Sequence, residues 1–359
     1  MLLHEHLENG ADKNPNFPFS EFEGNSLSYQ EANLLSNQLA NKLVSEGLEV
    51  GDRFAFLAKN CTEMAIMYYA ASKVGVVPVP LNYRLADQEW AYIINDSEAK
   101  LIIVKGNEYS DRINQISSEL KNIKKYISVS VDNSIEKFHN FYDWLSDSSN
   151  EKPTLKIHEN DDVYQMYTSG TTGHPKGAVL LQRNVAANIR QYLNSLTLPR
   201  PSRTLLVAPM YHAAAMINMC GCIAIGGTIV IQEDFIPQDV VDCLANEKIT
   251  HTVLVPAMIQ ACLVSVPNVA SNEYNDLDQI HYGASPIAPE TLKKAMDVFK
   301  CKFGQGFGMT ETVAVICLMT PEEHIRAIEE KPDLLKSCGR PAIDTQVEIR
   351  DENDNPLPV

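Results

Sequence analysis

Apolar and polar positions along this chain follow two periods that take turns. Ser28-Tyr29-Gln30-Glu31 forms a capping-box pattern ahead of apolar Leu35, Leu39 and Leu43, with Gly47 as a stop, which predicts a helix. "RFAFLA" follows as a strand, then a helix from Thr62 to Gly75, another around "DQEWAYII", and strands at "LIIV" and "YISVSV". Residues 132–161 are polar and weakly patterned and read as a connecting segment. Beyond them the strands "TLLVA", "TIVIQ", "HTVLV" and "QIHY" resume the alternation, which predicts an α/β fold with layered, mostly parallel sheets. No internal repeat at a fixed period appears.

Two stretches depart from this rhythm. Residues 213–231, "AAAMINMCGCIAIGGTIVI", are almost wholly apolar and close to membrane-spanning length. Asn218 and the glycines at 221, 226 and 227 break the run, and Glu233-Asp234 follow where a cytoplasmic flank would favour Lys or Arg. A buried helix, a turn at the paired glycines and a core strand are expected instead, with no membrane span. The end, "TQVEIRDENDNPLPV", alternates and then turns at Asp354-Asn355 like one strand of a hairpin starting its return, so a longer polypeptide is expected to continue past Val359.

Composition narrows the picture. With 359 residues, 45% of them apolar, the chain can bury a large core in two or three subdomains. Its 46 acidic and 30 basic residues leave a net charge of -16, which opposes broad attraction to nucleic acid or anionic membrane. An anionic ligand therefore needs a local device. Eight scattered cysteines include no CxxC pair, and together with an N-terminus lacking a signal-peptide pattern they predict reduced thiols in a cytoplasmic protein.

That device is offered by residues 167–177, "YTSGTTGHPKG". Gly170, Gly173 and Gly177 open backbone conformations that let successive amides converge on an anion, and the Thr and Ser hydroxyls add donors. Lys176 adds a mobile positive charge suited to a polyphosphate. The spacing is not the Walker A pattern GxxxxGK[ST], and no complete GxGxxG is present, which disfavours a kinase or ATPase of those classes.

With this loop the sequence resembles the adenylate-forming (AMP-binding) superfamily: acyl-CoA synthetases, aryl-CoA ligases, luciferases and peptide-synthetase adenylation domains. Further segments agree in the same order: "PLNYRL" (80–85), "PMYH" (209–212), "YGASPI" (282–287), "GQGFGMTET" (304–312) and "GRP" (339–341). The resemblance covers essentially the whole chain. It implies the large N-terminal domain of that fold, divided into a first α/β subdomain (1–160), a subdomain with the ATP loop and acyl pocket (161–335) and the start of a small β-barrel subdomain (336–359). The family's ribose-binding Asp, hinge and small C-terminal lid domain with its catalytic lysine are not among the given residues.

Roles carry over position by position. The resemblance implies that Thr168, Ser169, Gly170, Thr171, Thr172, Gly173 and Lys176 hold the β- and γ-phosphates of ATP. Gly283, Ala284 and Ser285 would line one face of adenine, with Phe307, flanked by Gly306, Gly308 and Met309, near the other. Thr310 would touch the α-phosphate, and Glu311 would bind Mg²⁺, a hard cation suited to carboxylate and phosphate oxygens. His212 would border the acyl pocket and the path of the thiol. Phe307 stands where Tyr is frequent, Ala213 to Ala215 where a glycine is common, and Gln182 where a His would precede Arg183-Asn184. The implied reaction is ATP-dependent activation of a fatty or aryl acid to acyl-AMP with release of pyrophosphate, then transfer to CoA. Two alternatives stay open: a ligase loading the phosphopantetheine of an acyl carrier protein, and a non-catalytic nucleotide- or acyl-binding protein. "YHAAAMINM" has no carboxylate to pair an α-amino group, which disfavours amino acids.

Overall fold

The computed structural model describes residues 1–130, 135–168, 173–195 and 201–357. Its strands form a five-stranded sheet, a nine-stranded sheet and a two-stranded hairpin.

The five-stranded sheet runs Val77–Leu81, Arg53–Leu57, Leu101–Val104, Lys125–Ser128, Phe138–Asn140, and every neighbouring pair is parallel. Parallel strands covered on both faces need apolar side chains at nearly every position, which is what "VPVPL", "RFAFL" and "LIIV" supply. The preceding helix, Tyr29–Ser45, starts at the expected box: Ser28 Oγ accepts from Glu31 N, and Ser28 N donates to Glu31 Oε2 at 2.8 Å. The next, Thr62–Val74, stops at Gly75 in the left-handed region (φ 71°), where a side chain would be strained.

The nine-stranded sheet is parallel through its middle (Lys302–Phe307, Gln279–Gly283, His251–Leu254, Arg203–Leu206, Thr228–Ile231, Pro18–Phe22) and antiparallel at its edges. Asn25–Ser28 closes one edge, and Cys317–Met319 with Arg340–Pro341 the other. The hairpin Pro18–Phe22/Asn25–Ser28 thus joins the sheet built by the second half of the chain. Tyr29 secures that join by donating from its hydroxyl to Gly227 O at 2.7 Å.

Residues 213–231 resolve as expected into the helix Ala213–Ala224, a turn with Gly226 at φ 76°, and the strand Thr228–Ile231. No helix among the described residues is long and apolar enough to cross a membrane. One expectation is corrected. Residues 132–161 are more than a connection, since they contain the strand Phe138–Asn140 and the helix Phe141–Leu145, whose N-terminus is capped by Asn140. Elements of three and five residues are too short to set up a period, so only burial of Phe138, Phe141, Trp144 and Leu145 reveals them. The start of a barrel is present only as the turn Asp351–Asn355 and one bridge, Arg350 to Pro356; no closed barrel occurs among the described residues.

Candidate functional site

The glycine-rich segment is the tip of a hairpin, Asp162–Thr168 paired antiparallel with Lys176–Leu181, with Thr168 opposite Lys176. Ser169, Gly170, Thr171 and Thr172 lie outside the described residues. What holds the hairpin is visible. Arg53 Nε donates to Gln165 Oε1 at 3.2 Å and its guanidinium pairs with Asp162 at 3.5 Å, fastening the base to the five-stranded sheet. Tyr167 donates to Asp96 Oδ2 at 2.6 Å, and the His174 ring stacks on Tyr92 with centroids 4.9 Å apart. Gly177 is required by packing, because a Cβ there would come within 2.3 Å of Gln165 Nε2 and 2.8 Å of the Tyr167 ring. Lys176 is exposed, and its strand touches the 3₁₀ turn Thr310–Thr312 that follows the nine-stranded sheet.

A cavity of about 360 Å³ opens at the carboxyl ends of the nine-stranded sheet, where parallel α/β sheets bind ligands. One side is main chain and small side chains: Gly283, Ala284, Gly306, Gly308, Met309 and Thr310. Gly283 sits opposite Gly306 in register, and a Cβ on Gly283 would fall 2.2 Å from Gly306 O, so the two strands present a flat, bare surface there. Ala284 takes a positive φ of 64°, a conformation unusual for alanine that turns the chain away from the strand end. The exposed side chains of Ser285, Phe307 and Glu311 stand outside the cavity lining, as does Lys176. Glu311 makes no ion pair among the described residues, and no group of three or more His, Cys, Asp or Glu side chains there could hold a metal ion by itself.

The rest of the lining is mostly apolar. His212 precedes the helix Ala213–Ala224 without capping it through its side chain, and lies beside Tyr211, ring centroids 4.4 Å apart; burial and then the Arg84 charge lower its pKa. Ala213, Ala214, Ile217, Val253, Val255, Tyr192 and His281 also line the cavity. The structure therefore brings together His212, Gly283, Ala284, Gly306, Gly308, Met309 and Thr310 in one cavity, with the Lys176 strand alongside. Sequence reasoning missed Tyr192 and His281. The signal for His281 was available: two positions before Gly283 in a strand, it shares that glycine's face.

Gln182 explains its own departure from the expected His. Fully buried, it accepts from Leu3 N at 3.1 Å and donates to Ser72 Oγ at 2.9 Å, while His4 Nδ1 meets the same hydroxyl at 3.0 Å. It joins the first helix, Leu3–Lys13, to two others and stands apart from the cavity lining.

Comparison with known proteins shows what this chain is similar to. The chain is 29% identical over 356 residues to a fatty acid–[acyl-carrier-protein] ligase of Streptomyces coeruleorubidus, covering 97% of this chain and 65% of that protein. It is 30% identical over 354 residues to a 2-succinylbenzoate–CoA ligase of Oceanobacillus iheyensis, covering 98% and 67%. Its fold superposes on the inhibitor-bound N-terminal domain of FACL13 from Mycobacterium tuberculosis with a TM-score of 0.88 at 25% identity, over 99% of this chain and 86% of that one. The chain thus spans about two thirds of the length of these curated relatives. A family model described as "AMP-binding enzyme" matches residues 7–359, and with the hairpin, the glycine-lined strand ends and the cavity all in place, the chain belongs to the AMP-binding enzyme family.

Proposed function

We propose that this chain supplies the nucleotide- and acid-binding part of an ATP-dependent carboxylic acid ligase, which forms acyl-AMP and pyrophosphate and passes the acyl group to a thiol. The observation that carries the reading is the meeting of three parts: the hairpin ending at Lys176, the turn Thr310–Thr312, and a cavity whose one side is bare main chain at Gly283 and Gly306 and whose other side is apolar. The bare surface suits the flat face of adenine. Lys176 meets the β- and γ-phosphates, with Thr168, Ser169, Gly170, Thr171, Thr172 and Gly173 around them, and Thr310 meets the α-phosphate. Ser285 and Phe307 flank the base. A single free carboxylate at Glu311 fits Mg²⁺, which is commonly held by one or two carboxylates together with substrate phosphates. The metal, when bound, neutralises charge on the phosphates.

The chemistry assigned to the chain's own residues is binding and orientation. His212, whose pKa burial and the Arg84 charge lower, forms the wall between acid and thiol. In this reading an acid's carboxylate lies between that wall and Thr310, with its oxygen toward the α-phosphate. AMP then leaves as the thiol attacks the mixed anhydride. The acceptor is CoA or the phosphopantetheine of a carrier protein, since the relatives named above include ligases for each. A fatty or aryl acid fits better than an amino acid because no carboxylate lines the wall.

Calorimetry of ATP·Mg²⁺ with the chain and with Lys176→Ala and Glu311→Ala tests the reading. Both variants are expected to bind about tenfold or more weakly, from loss of a charge-assisted contact. Unchanged affinity in both would overturn the phosphate and metal assignments.

A further inference from the structure

The helix Asp87–Asp96 is fixed to the core by one face and meets the glycine-rich hairpin with another. Trp90, Ile93 and Ile94 are buried in one cluster with Ala55, Ile102 and Val104 of the five-stranded sheet. The Trp90 indole donates to Asn82 O at 2.8 Å, and the Arg112 guanidinium lies 3.9 Å over its ring while pairing with Asp87 at 2.7 Å. Tyr92 and Asp96, four residues apart, share a different face of the helix. Each of them holds one leg of the hairpin. The Tyr167 hydroxyl donates to Asp96 Oδ2 at 2.6 Å, and the His174 ring stacks on Tyr92 with 22° between the planes. Behind Tyr167, Gln165 Nε2 donates to the same hydroxyl at 3.2 Å, and Gln165 Oε1 accepts from Arg53 Nε. With its oxygen already accepting from Gln165, the phenol directs its proton to Asp96.

The place of Asp96 is unfavourable on local grounds. It ends a helix with no basic residue in its last turn, where the negative end of the helix dipole opposes a carboxylate. It also sets a negative charge beside a loop read as holding phosphates. What it gains is a short, charge-assisted hydrogen bond to Tyr167. The stack on Tyr92 does a second job. Strand pairing ends at Thr168 opposite Lys176, and the stack fixes His174 two residues further toward the tip. Glycines at 170 and 173 supply little conformational preference of their own, so a shorter free span costs less entropy to order around a ligand.

We propose, on the basis of the ligase reading above, that Tyr92 and Asp96 are positioning residues which, through His174 and Tyr167, hold the loop and Lys176 ready for the β- and γ-phosphates. The helix Asp87–Asp96 thereby sets the preference of the site for a nucleoside triphosphate over a monophosphate.

Calorimetry of ATP·Mg²⁺ and of AMP with the 359-residue chain tests this, since AMP lacks the two phosphates assigned to the loop. Tyr92→Ala and Asp96→Ala are each expected to weaken ATP·Mg²⁺ about three- to tenfold, the effect of one lost contact, while AMP changes by about twofold or less. Loss of the Asp96 charge would by itself favour ATP, so a weakening reports position. Tyr92→Phe, which keeps the stacking ring, is expected to bind ATP like the parent. Tyr167→Phe should weaken ATP as Asp96→Ala does, and the double variant no further, because both act through one hydrogen bond. Unchanged ATP affinity in Tyr92→Ala and Asp96→Ala, equal weakening of ATP and AMP, or a Tyr92→Phe as weak as Tyr92→Ala would each overturn the proposal, and so would additive losses in the double variant. If Lys176→Ala still loses ATP affinity, those results leave the ligase reading standing. Failure of the parent to bind either nucleotide, or parent-like ATP binding by Lys176→Ala, would overturn that reading and this proposal with it.

Discussion

The two large sheets solve different problems with the same parallel geometry. In the five-stranded sheet, Val77–Leu81 and Leu101–Val104 are buried at every position, and the side chains there do nothing but fill the core. In the nine-stranded sheet, "QIHYG" and "KFGQGF" are just as regular in register, yet the positions lining the cavity include His281, Gly283 and Gly306. One sheet packs at the expense of chemistry, and the other gives up packing at one end to present bare main chain and hydrogen-bonding groups. A binding site in this fold is thus a local failure of the hydrophobic strand pattern.

That contrast breaks most visibly at Phe56. Fully buried in the first sheet with Tyr68 edge-on to its ring at 5.5 Å, its truncation in Phe56→Ala should cost about 3 to 5 kcal/mol in denaturant unfolding. ATP affinity per folded molecule should not change, and a large change would mean that the two sheets are energetically coupled. Acid separates them next. Burial, followed by the charge of the neighbouring histidine, holds His251 and His281 at about 3, against 6.5 for a free imidazole. Because the folded-state values are lowered, the unfolded chain binds more protons between pH 6.5 and about 3. The stability is therefore fully present above pH 6.5 and is lost as the pH falls through that window. At pH 5 each histidine should lower stability by about 2 kcal/mol, and His281→Gln should remove about one proton from the slope. An unchanged slope would place the acid sensitivity outside this sheet.

Gly283→Ala sharpens the comparison from the other side. Its Cβ must push Gly306 O away, a strain of about 1 to 3 kcal/mol by analogy with overpacked cores, and it roughens the bare surface. Adenosine nucleotides should bind more weakly, by calorimetry, than the loss of stability alone explains; parent-like affinity would show that the flat surface is not where the base lies. The smallest effect belongs to a contact shared by neither sheet. Ser28→Ala removes the cap of the helix Tyr29–Ser45 and should cost about 1 kcal/mol in thermal or denaturant unfolding with no effect on nucleotide binding.

Much of this was legible before any coordinates. The Ser28–Glu31 box, the glycine stop after Val74, the break of residues 213–231 into helix, turn and strand, and the alternation of the two periods all rest on contacts between residues close in sequence, so local pattern suffices. The glycine-rich motif at residues 167–177 is legible for the same reason, because its residues follow one another along the chain. The strand and helix at 138–145 were not, because three and five residues are too few to show a period. Tyr192 was hidden for a different reason, since nothing in "NIRQYLN" points toward a strand ninety residues away.

The sequence alone thus determined the layered α/β class, the capped helix Tyr29–Ser45 and the helix, turn and strand of residues 213–231, each of which depends on backbone preferences within a few residues. Only the tertiary structure decided that the hairpin Pro18–Phe22/Asn25–Ser28 completes the second sheet, that Gln182 serves the first helix, that His251 and Gln279 become register partners, and that Tyr192 and His281 line one cavity. Those outcomes depend on which distant strands become neighbours. Strand order is set by the burial of whole faces against one another, a quantity that no short window of sequence contains.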